Sequence, residues 1–221
     1  MIALNEKYYR YMDGILSLNE KVNLTAITDR EEFIIKHFYD SLMVTDYMEY
    51  ARAEKIIDVG TGAGFPGIPL AIFSPEKKFT LMDSLNKRIK IISDLAAETG
   101  IDNVEILHAR AEELGHNKDY RESFDLCVSR AVANLATLSE YCLPFIKPGG
   151  FFMAYKGPEP TEEIEDAKKA IGILGGEIIE VRHAELTEYG LSHNIVVIKK
   201  NRNTPKKYPR KSGTPSKEPI R

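Results

Sequence analysis

Tryptophan is absent from the 221-residue chain, and cysteine occurs only twice, as Cys127 and Cys142, each inside an apolar run. Two thiols without paired or metal-like spacing give no support to a disulfide framework or a zinc site, so the usage reads as cytoplasmic. No stretch approaches the roughly 18 consecutive apolar residues of a membrane span. The N-terminus, Met1-Ile2-Ala3-Leu4-Asn5-Glu6-Lys7-Tyr8, has no uninterrupted apolar core, so neither export nor membrane insertion is expected. The five histidines (His37, His108, His116, His183 and His193) show no ligand spacing, and no metal is expected. No Gly-Lys-Ser/Thr closes a glycine turn, which excludes a P-loop nucleotide site. No stable protein partner is expected.

The length suits one main domain with modest additions and a core that needs no covalent staples. The net charge of −3 hides an asymmetry, because residues 199–221 carry nine basic side chains against the single acid Glu218. The rest of the chain is correspondingly acidic. A basic end on an acidic body suits a polyanion such as nucleic acid, although a solvated terminus explains the charge equally well. Pro205, Pro209, Pro215 and Pro219 fall in the same stretch and argue against a regular helix there.

Leu4, Tyr8, Tyr11, Ile15, Leu18 and Val22 recur at steps of three or four, which predicts an amphipathic first helix. A second is expected from Thr28, capped by its hydroxyl with Glu31 answering three residues on, and burying Phe33, Ile34, Phe38 and Leu42. From residue 55, β-rich runs alternate with helical ones. Strands are expected at 55–59, 79–83, 104–108, 124–129 and 150–155, with helices at 66–74, 87–99, 135–143 and 161–174. Such alternation predicts an α/β fold with a parallel, doubly wound sheet. The runs 177–182 and 194–199 follow with no helix between them, so they must pair antiparallel. The expected division is a helical pair over 1–50 packed on the core, a catalytic domain over 51–200, and a basic, Pro-rich tail over 201–221.

Asp58-Val59-Gly60-Thr61-Gly62-Ala63-Gly64 stands where the first strand hands over to a helix. Glycines there let the chain turn tightly and let a ligand approach the backbone, with the next helix offering its free amides. Asp83, at the end of the second strand, is placed to accept hydrogen bonds from ribose hydroxyls. A nucleoside site follows, with two readings. Gly62-Ala63-Gly64-Phe65-Pro66-Gly67 fits the dinucleotide fingerprint of an NAD-dependent oxidoreductase. Asp58 favours the other reading, because its carboxylate repels a pyrophosphate and attracts the amino group of S-adenosylmethionine. The expected architecture is therefore the Rossmann-like sheet of a class I S-adenosylmethionine-dependent methyltransferase, mostly parallel with an antiparallel C-terminal strand.

After the fourth strand the chain reads Val128-Ser129-Arg130-Ala131-Val132, without the Asn/Asp-Pro-Pro-Tyr that grips exocyclic amines. Cys127 and Cys142 lie in apolar elements, which suits packing better than attack on a pyrimidine. A ring nitrogen such as guanine N7 carries no proton and needs no general base, only alignment with the donor.

The residues 58–70, Asp83-Ser84-Leu85-Asn86-Lys87-Arg88, Asn23-Leu24-Thr25, His37-Phe38-Tyr39-Asp40-Ser41-Leu42, Ser129-Arg130-Ala131, Lys156-Gly157 and the tail 208–215 together resemble the RsmG (GidB) family of bacterial 16S ribosomal RNA guanine-N7 methyltransferases. That resemblance spans nearly the whole chain. It departs in the first helix, where Leu18-Asn19-Glu20-Lys21-Val22-Asn23 lacks the tryptophan often found there. It implies S-adenosylmethionine as donor and one guanine in the decoding-region loop of the small ribosomal subunit as acceptor. Gly60, Gly62 and Phe65 would line the methionine side, Asp83 the ribose, and Ala111 and Glu112 the adenine. Arg130 would stand near both cofactor and substrate. The RNA would meet Lys156, Lys206, Lys207, Arg210 and Lys211, with Tyr208 either stacking on a base or packing on the domain. A non-catalytic ribosome-binding factor with the same cofactor fold remains a third reading.

Overall fold

The computed structural model describes residues 2–130, 132–186 and 190–220. Helix α1 (Glu6–Val22) starts at Asn5, whose side chain accepts from the Lys7 amide, and stops at Asn23 in the left-handed conformation. Its apolar stripe sinks into the main core: the Tyr8 hydroxyl donates to the Pro69 carbonyl (2.9 Å) and the Tyr11 hydroxyl to that of Ala63 (2.9 Å). The next helical segment begins one residue later than its sequence suggests. Asp29, not Thr28, is the cap and accepts from the Glu32 amide (2.9 Å). Helix α2 (Arg30–Phe33) runs through a π-helical stretch, Ile34–Tyr39, into α3 (Asp40–Leu42). Such wide turns gather at functional sites. Helix α4 (Met48–Arg52) leads into the sheet.

The sheet comprises β1 (Lys55–Val59), β2 (Lys78–Asp83), β3 (Val104–His108), β4 (Phe124–Arg130), β5 (Ile146–Lys156), β6 (Gly176–Leu186) and β7 (Leu191–Lys200), in the order β3-β2-β1-β4-β5-β7-β6. The first five are parallel, and β7 inserts antiparallel between β5 and β6. The late strands therefore form the hairpin that the missing crossover required, longer than the apolar runs alone mark. Pro148-Gly149-Gly150 forms an irregularity inside β5, where its register with β4 shifts between Phe124 and Leu126.

Helices α5 (Gly67–Phe73) and α6 (Asn86–Thr99) join α1 on one face, and α7 (Ala111–Leu114), α8 (Leu135–Cys142) and α9 (Thr161–Ile173) belong to the other. Alternation along the strands feeds both layers. Ile56, Leu126, Val128 and Met153 enter the first core, while Ile57, Cys127, Phe152 and Ile198 enter the second. The strand order reverses between β1 and β4, so a crevice opens beyond their carboxyl ends, where ligands of such sheets bind. Among the described residues no helix is long and apolar enough to cross a membrane.

The basic C-terminal segment is folded onto the second layer. Arg210 pairs through its guanidinium with Glu140, a carboxylate of α8 that is 0% exposed (2.6 to 3.1 Å). Arg121 donates to the carbonyls of Thr204 and Tyr208, and His116 meets that of Pro209 (2.7 Å). Tyr208 is buried against the domain, which settles its packing. The prolines do not forbid helix altogether: α10 (Thr214–Lys217) makes one turn with Pro215 near its start, where a missing amide costs nothing.

Candidate functional site

Asp58 ends β1 wholly buried (0% exposed). Its Oδ2 accepts from the Thr61 hydroxyl (2.6 Å) and the Gly67 amide (2.8 Å), while Oδ1 has no partner among the described residues. Burial pushes the carboxyl up to about 7 against those two donors and the Arg130 charge. A buried, unpartnered carboxylate oxygen at the head of a glycine turn fits an ammonium group, which would supply the missing donor and charge.

The turn itself is tied down. The Gly60 and Thr61 amides donate to the Met82 carbonyl (2.9 and 3.0 Å), and the Gly62 amide to Asp83 Oδ2 (3.0 Å). Asp83 Oδ1 accepts from the Leu85 amide (2.8 Å). At Gly62 (φ +61°) a side chain would be strained, yet the space where its Cβ would lie is open, so the backbone there is approachable from outside. The sequence argument that α5 points free amides at a ligand does not hold. The Gly67 amide is spent on Asp58, that of Ile68 on the Gly64 carbonyl (2.7 Å) and that of Leu70 on the Pro66 carbonyl (3.2 Å), and Pro69 has none. Without those amides the helix offers no seat for a pyrophosphate, which weighs against the dinucleotide reading.

Beside the turn lies a cavity of about 330 Å³ that brings together Gly60, Asp83, Ala111 and Glu112 of the expected set. Arg88, Arg110, Val132 and Tyr141 also line it and were not singled out from sequence. Val132 stands so close to the turn that a Cβ on Gly60 would meet its side chain at 2.5 Å.

Gly62, Phe65 and Arg130 are not part of that lining; Phe65 and Arg130 belong to a cluster over the first core. Arg130, at the end of β4, pairs with Asp40, which is 1% exposed, and donates to the Lys36 carbonyl (3.1 Å) and towards His37 Nδ1 (3.3 Å). Its guanidinium stands over the Phe65 ring, 5.5 Å from the centroid, and His37 stacks on the same ring at 4.3 Å. Asp40 also accepts from His193 Nδ1 at the start of β7. Burial pushes the Asp40 carboxyl up, but the His193 hydrogen bond and the Arg130 charge outweigh it and hold it below its ordinary value. His37 is driven down to about 3 by burial and by Arg130, so it is neutral and its Nδ1 accepts. Arg130 is thus no surface ion pair: it is half of a buried one. Ala131 lies outside the described residues.

The cations expected to meet RNA divide into two groups. Lys156 donates to the Ala133 carbonyl (2.9 Å) and to Glu163 (2.6 Å), and Arg210 is committed to Glu140. Lys206, Lys207 and Lys211 are exposed. Cys127 and Cys142 are fully buried, and burial pushes the Cys127 thiol well up, away from nucleophilic use.

A family model described as rRNA small subunit methyltransferase G matches residues 4–191. The chain is 52% identical over 223 residues to the ribosomal RNA small subunit methyltransferase G of Clostridium novyi (strain NT), spanning 99% of this chain and 92% of that protein. It is 52% identical over 212 residues to the protein of the same name from Alkaliphilus oremlandii (strain OhILAs), spanning 96% and 89%. Among solved structures, the O-methyltransferase from Bacillus cereus in complex with SAH has a TM-score of 0.60 at 18% identity, over 90% of this chain and 93% of that one. A putative O-methyltransferase from Klebsiella pneumoniae scores 0.60 at 13% identity, over 91% and 93%. At such identities the likeness concerns the fold, and that fold is the class I methyltransferase sheet.

Proposed function

Because the chain belongs to the rRNA small subunit methyltransferase G family, and so is an S-adenosylmethionine-dependent rRNA methyltransferase, we propose that it methylates N7 of one guanine in the decoding-region loop of 16S rRNA. The observation that carries the cofactor assignment is the buried, unpartnered oxygen of Asp58 at the end of β1, directly before Val59 and Gly60 of the cavity that contains Asp83 and Glu112. Asp58 would take the methionine ammonium, Asp83 the ribose hydroxyls, and Ala111 with Glu112 the adenine. Gly60 would line the methionine side of the cavity, Gly62 leaves room for the backbone approach, and Phe65 with Arg130 would close that side. When bound, the cofactor supplies an electrophilic methyl on sulfur.

The rest of the chemistry asks little of the chain beyond alignment. Guanine N7 attacks with its own lone pair and has no proton to lose, so holding donor and acceptor in line can supply about 7–11 kcal/mol. The charge of Arg130 is balanced by Asp40, so it repels neither the sulfonium donor nor the cationic methylated base. An arginine at the end of β4, with both thiols buried, suits an acceptor that is neither an exocyclic amine nor a pyrimidine carbon. The test is incubation with labelled S-adenosylmethionine and small subunits from cells lacking the protein, followed by digestion to nucleosides. Label in 7-methylguanosine supports the reading; label on an exocyclic amine overturns it. Ribosome binding without any transfer would favour a non-catalytic factor.

Lys206, Lys207 and Lys211 would hold the RNA by its phosphates, a contact that gives affinity with little sequence preference. Replacing all three with alanine is expected to flatten the plot of log affinity against log salt by about two, since each lost contact to single-stranded RNA removes about 0.7. The same change at Lys156, which is internally paired, leaves the slope as it is. A triple variant with the parental slope would show that these lysines touch no phosphate.

A further inference from the structure

We propose that the C-terminal strap, residues 208–215, sets the base selectivity of the cofactor pocket by pinning one oxygen of Glu112 so that the other faces the base. The inference rests on the reading of the 330 Å³ cavity as the cofactor site. Three walls of that cavity, Ala111, Glu112 and Tyr141, come from α7 and α8. The strap is bonded to both helices. Its Gly213 amide donates to Glu112 Oε1 (2.9 Å) and its Ser212 hydroxyl to Glu113 (3.2 Å). Arg210 holds Glu140, the residue before Tyr141, and the Thr137 hydroxyl donates to the Pro215 carbonyl (3.0 Å). Pro209 packs on Gly115, where an added Cβ would meet its ring at 2.9 Å.

Glu112 Oε2 makes no hydrogen bond among the described residues, and Glu112 lines the cavity as well as the cleft under the strap, so in this reading Oε2 is the acceptor offered to the base. A carboxylate with one oxygen anchored cannot turn freely, so the second becomes a directed acceptor. It accepts from the amino group of adenine and opposes the carbonyl that hypoxanthine carries at the same position. A free side chain on a four-residue helix would rotate away from that conflict, and selectivity would fall.

Titration calorimetry with S-adenosylhomocysteine and its deaminated analogue, S-inosylhomocysteine, tests this. The parent chain is expected to prefer the adenosyl compound by on the order of tenfold or more, the effect of one directed acceptor. In Glu112→Gln the amide oxygen stays on the Gly213 N–H and the NH₂ faces the base, so the preference inverts. In a chain ending at Ser212 the Gly213 anchor is gone: the parental preference shrinks towards one, and Glu112→Gln no longer inverts it. Equal weakening of both compounds by the truncation, or no inversion by Glu112→Gln in the full chain, overturns the proposal. If the truncated chain shows no cooperative melt, the full-length Glu112→Gln result decides alone. Asp83→Ala separates the two levels. If it binds S-adenosylhomocysteine as the parent does, the cavity is not the cofactor site; if it weakens binding while Glu112→Gln leaves the preference unchanged, only the strap's role fails.

Discussion

Replacing Asp40 with alanine is expected to cost the fold about 3–5 kcal/mol and to abolish methyl transfer. The carboxylate is 1% exposed and is the partner of both Arg130 and His193, so its removal leaves a guanidinium in a half-closed site with no counter-charge. Breaking a buried pair from one side costs that much because the remaining charge is desolvated and unpaired. The contribution also has a pH window. The Asp40 carboxyl lies below its ordinary value in the fold, so its stabilisation is present above the unfolded carboxylate range and is lost as pH falls through the folded value. Urea unfolding of the parent and of Asp40→Ala at neutral pH reads the difference. Combining Asp40→Leu with Arg130→Met, which removes both charges and fills the space, should recover much of the stability without recovering activity. A double variant that methylates normally would show that the pair serves packing only.

Asp58→Asn is expected to be more stable than the parent at pH 8 and yet to bind S-adenosylhomocysteine about ten- to a hundredfold more weakly. Burial raises the folded carboxyl to about 7, well above its unfolded value of 3.8. A group raised in this way stabilises the fold fully below the unfolded value and loses that contribution as pH rises through the folded one. At pH 8 the fold therefore carries an unfavourable buried charge, and asparagine removes it while keeping an acceptor for Thr61 and Gly67. The ligand's ammonium wants that charge back. Parental affinity should accordingly rise about tenfold from pH 6 to a plateau above about pH 8, because the carboxyl must lose its proton for the pair to form. Calorimetry across that interval should find the slope in the parent and none in Asp58→Asn. A flat parental profile would mean that Asp58 is not the ammonium's partner.

The sheet was legible because its signals are local. Apolar runs of strand length, the glycine turn after β1 and the absence of a crossover between β6 and β7 each lie within a few residues, and each specified its element. The Asp40 cluster was not legible for the opposite reason. Arg130 and His193 lie 90 and 153 residues from Asp40, and only the packing of α3 against the ends of β4 and β7 brings them together. The signal available was an acid close to Phe38, Tyr39 and Leu42 in a helical stretch, which reads as exposed until its partner is known. Glu140 inside the apolar α8 sends the same message about the tail. A basic, Pro-rich terminus has the composition of a solvated segment, and one buried acid and a few backbone acceptors are enough to anchor it. At the glycine turn, sequence singled out Asp58 as the acid that ends the strand before the glycines. It missed that one oxygen is spent on the start of α5 while the other has no partner among the described residues.

The most direct test of the account is nucleoside mass spectrometry of 16S rRNA from cells with and without this protein, with the modified position mapped by fragment. The account predicts the loss of a single 7-methylguanosine from the decoding-region loop, restored by the parent chain and not by Asp58→Asn with Asp83→Ala. An unchanged 7-methylguanosine content, or the loss of a methyl group from an exocyclic amine instead, would contradict it.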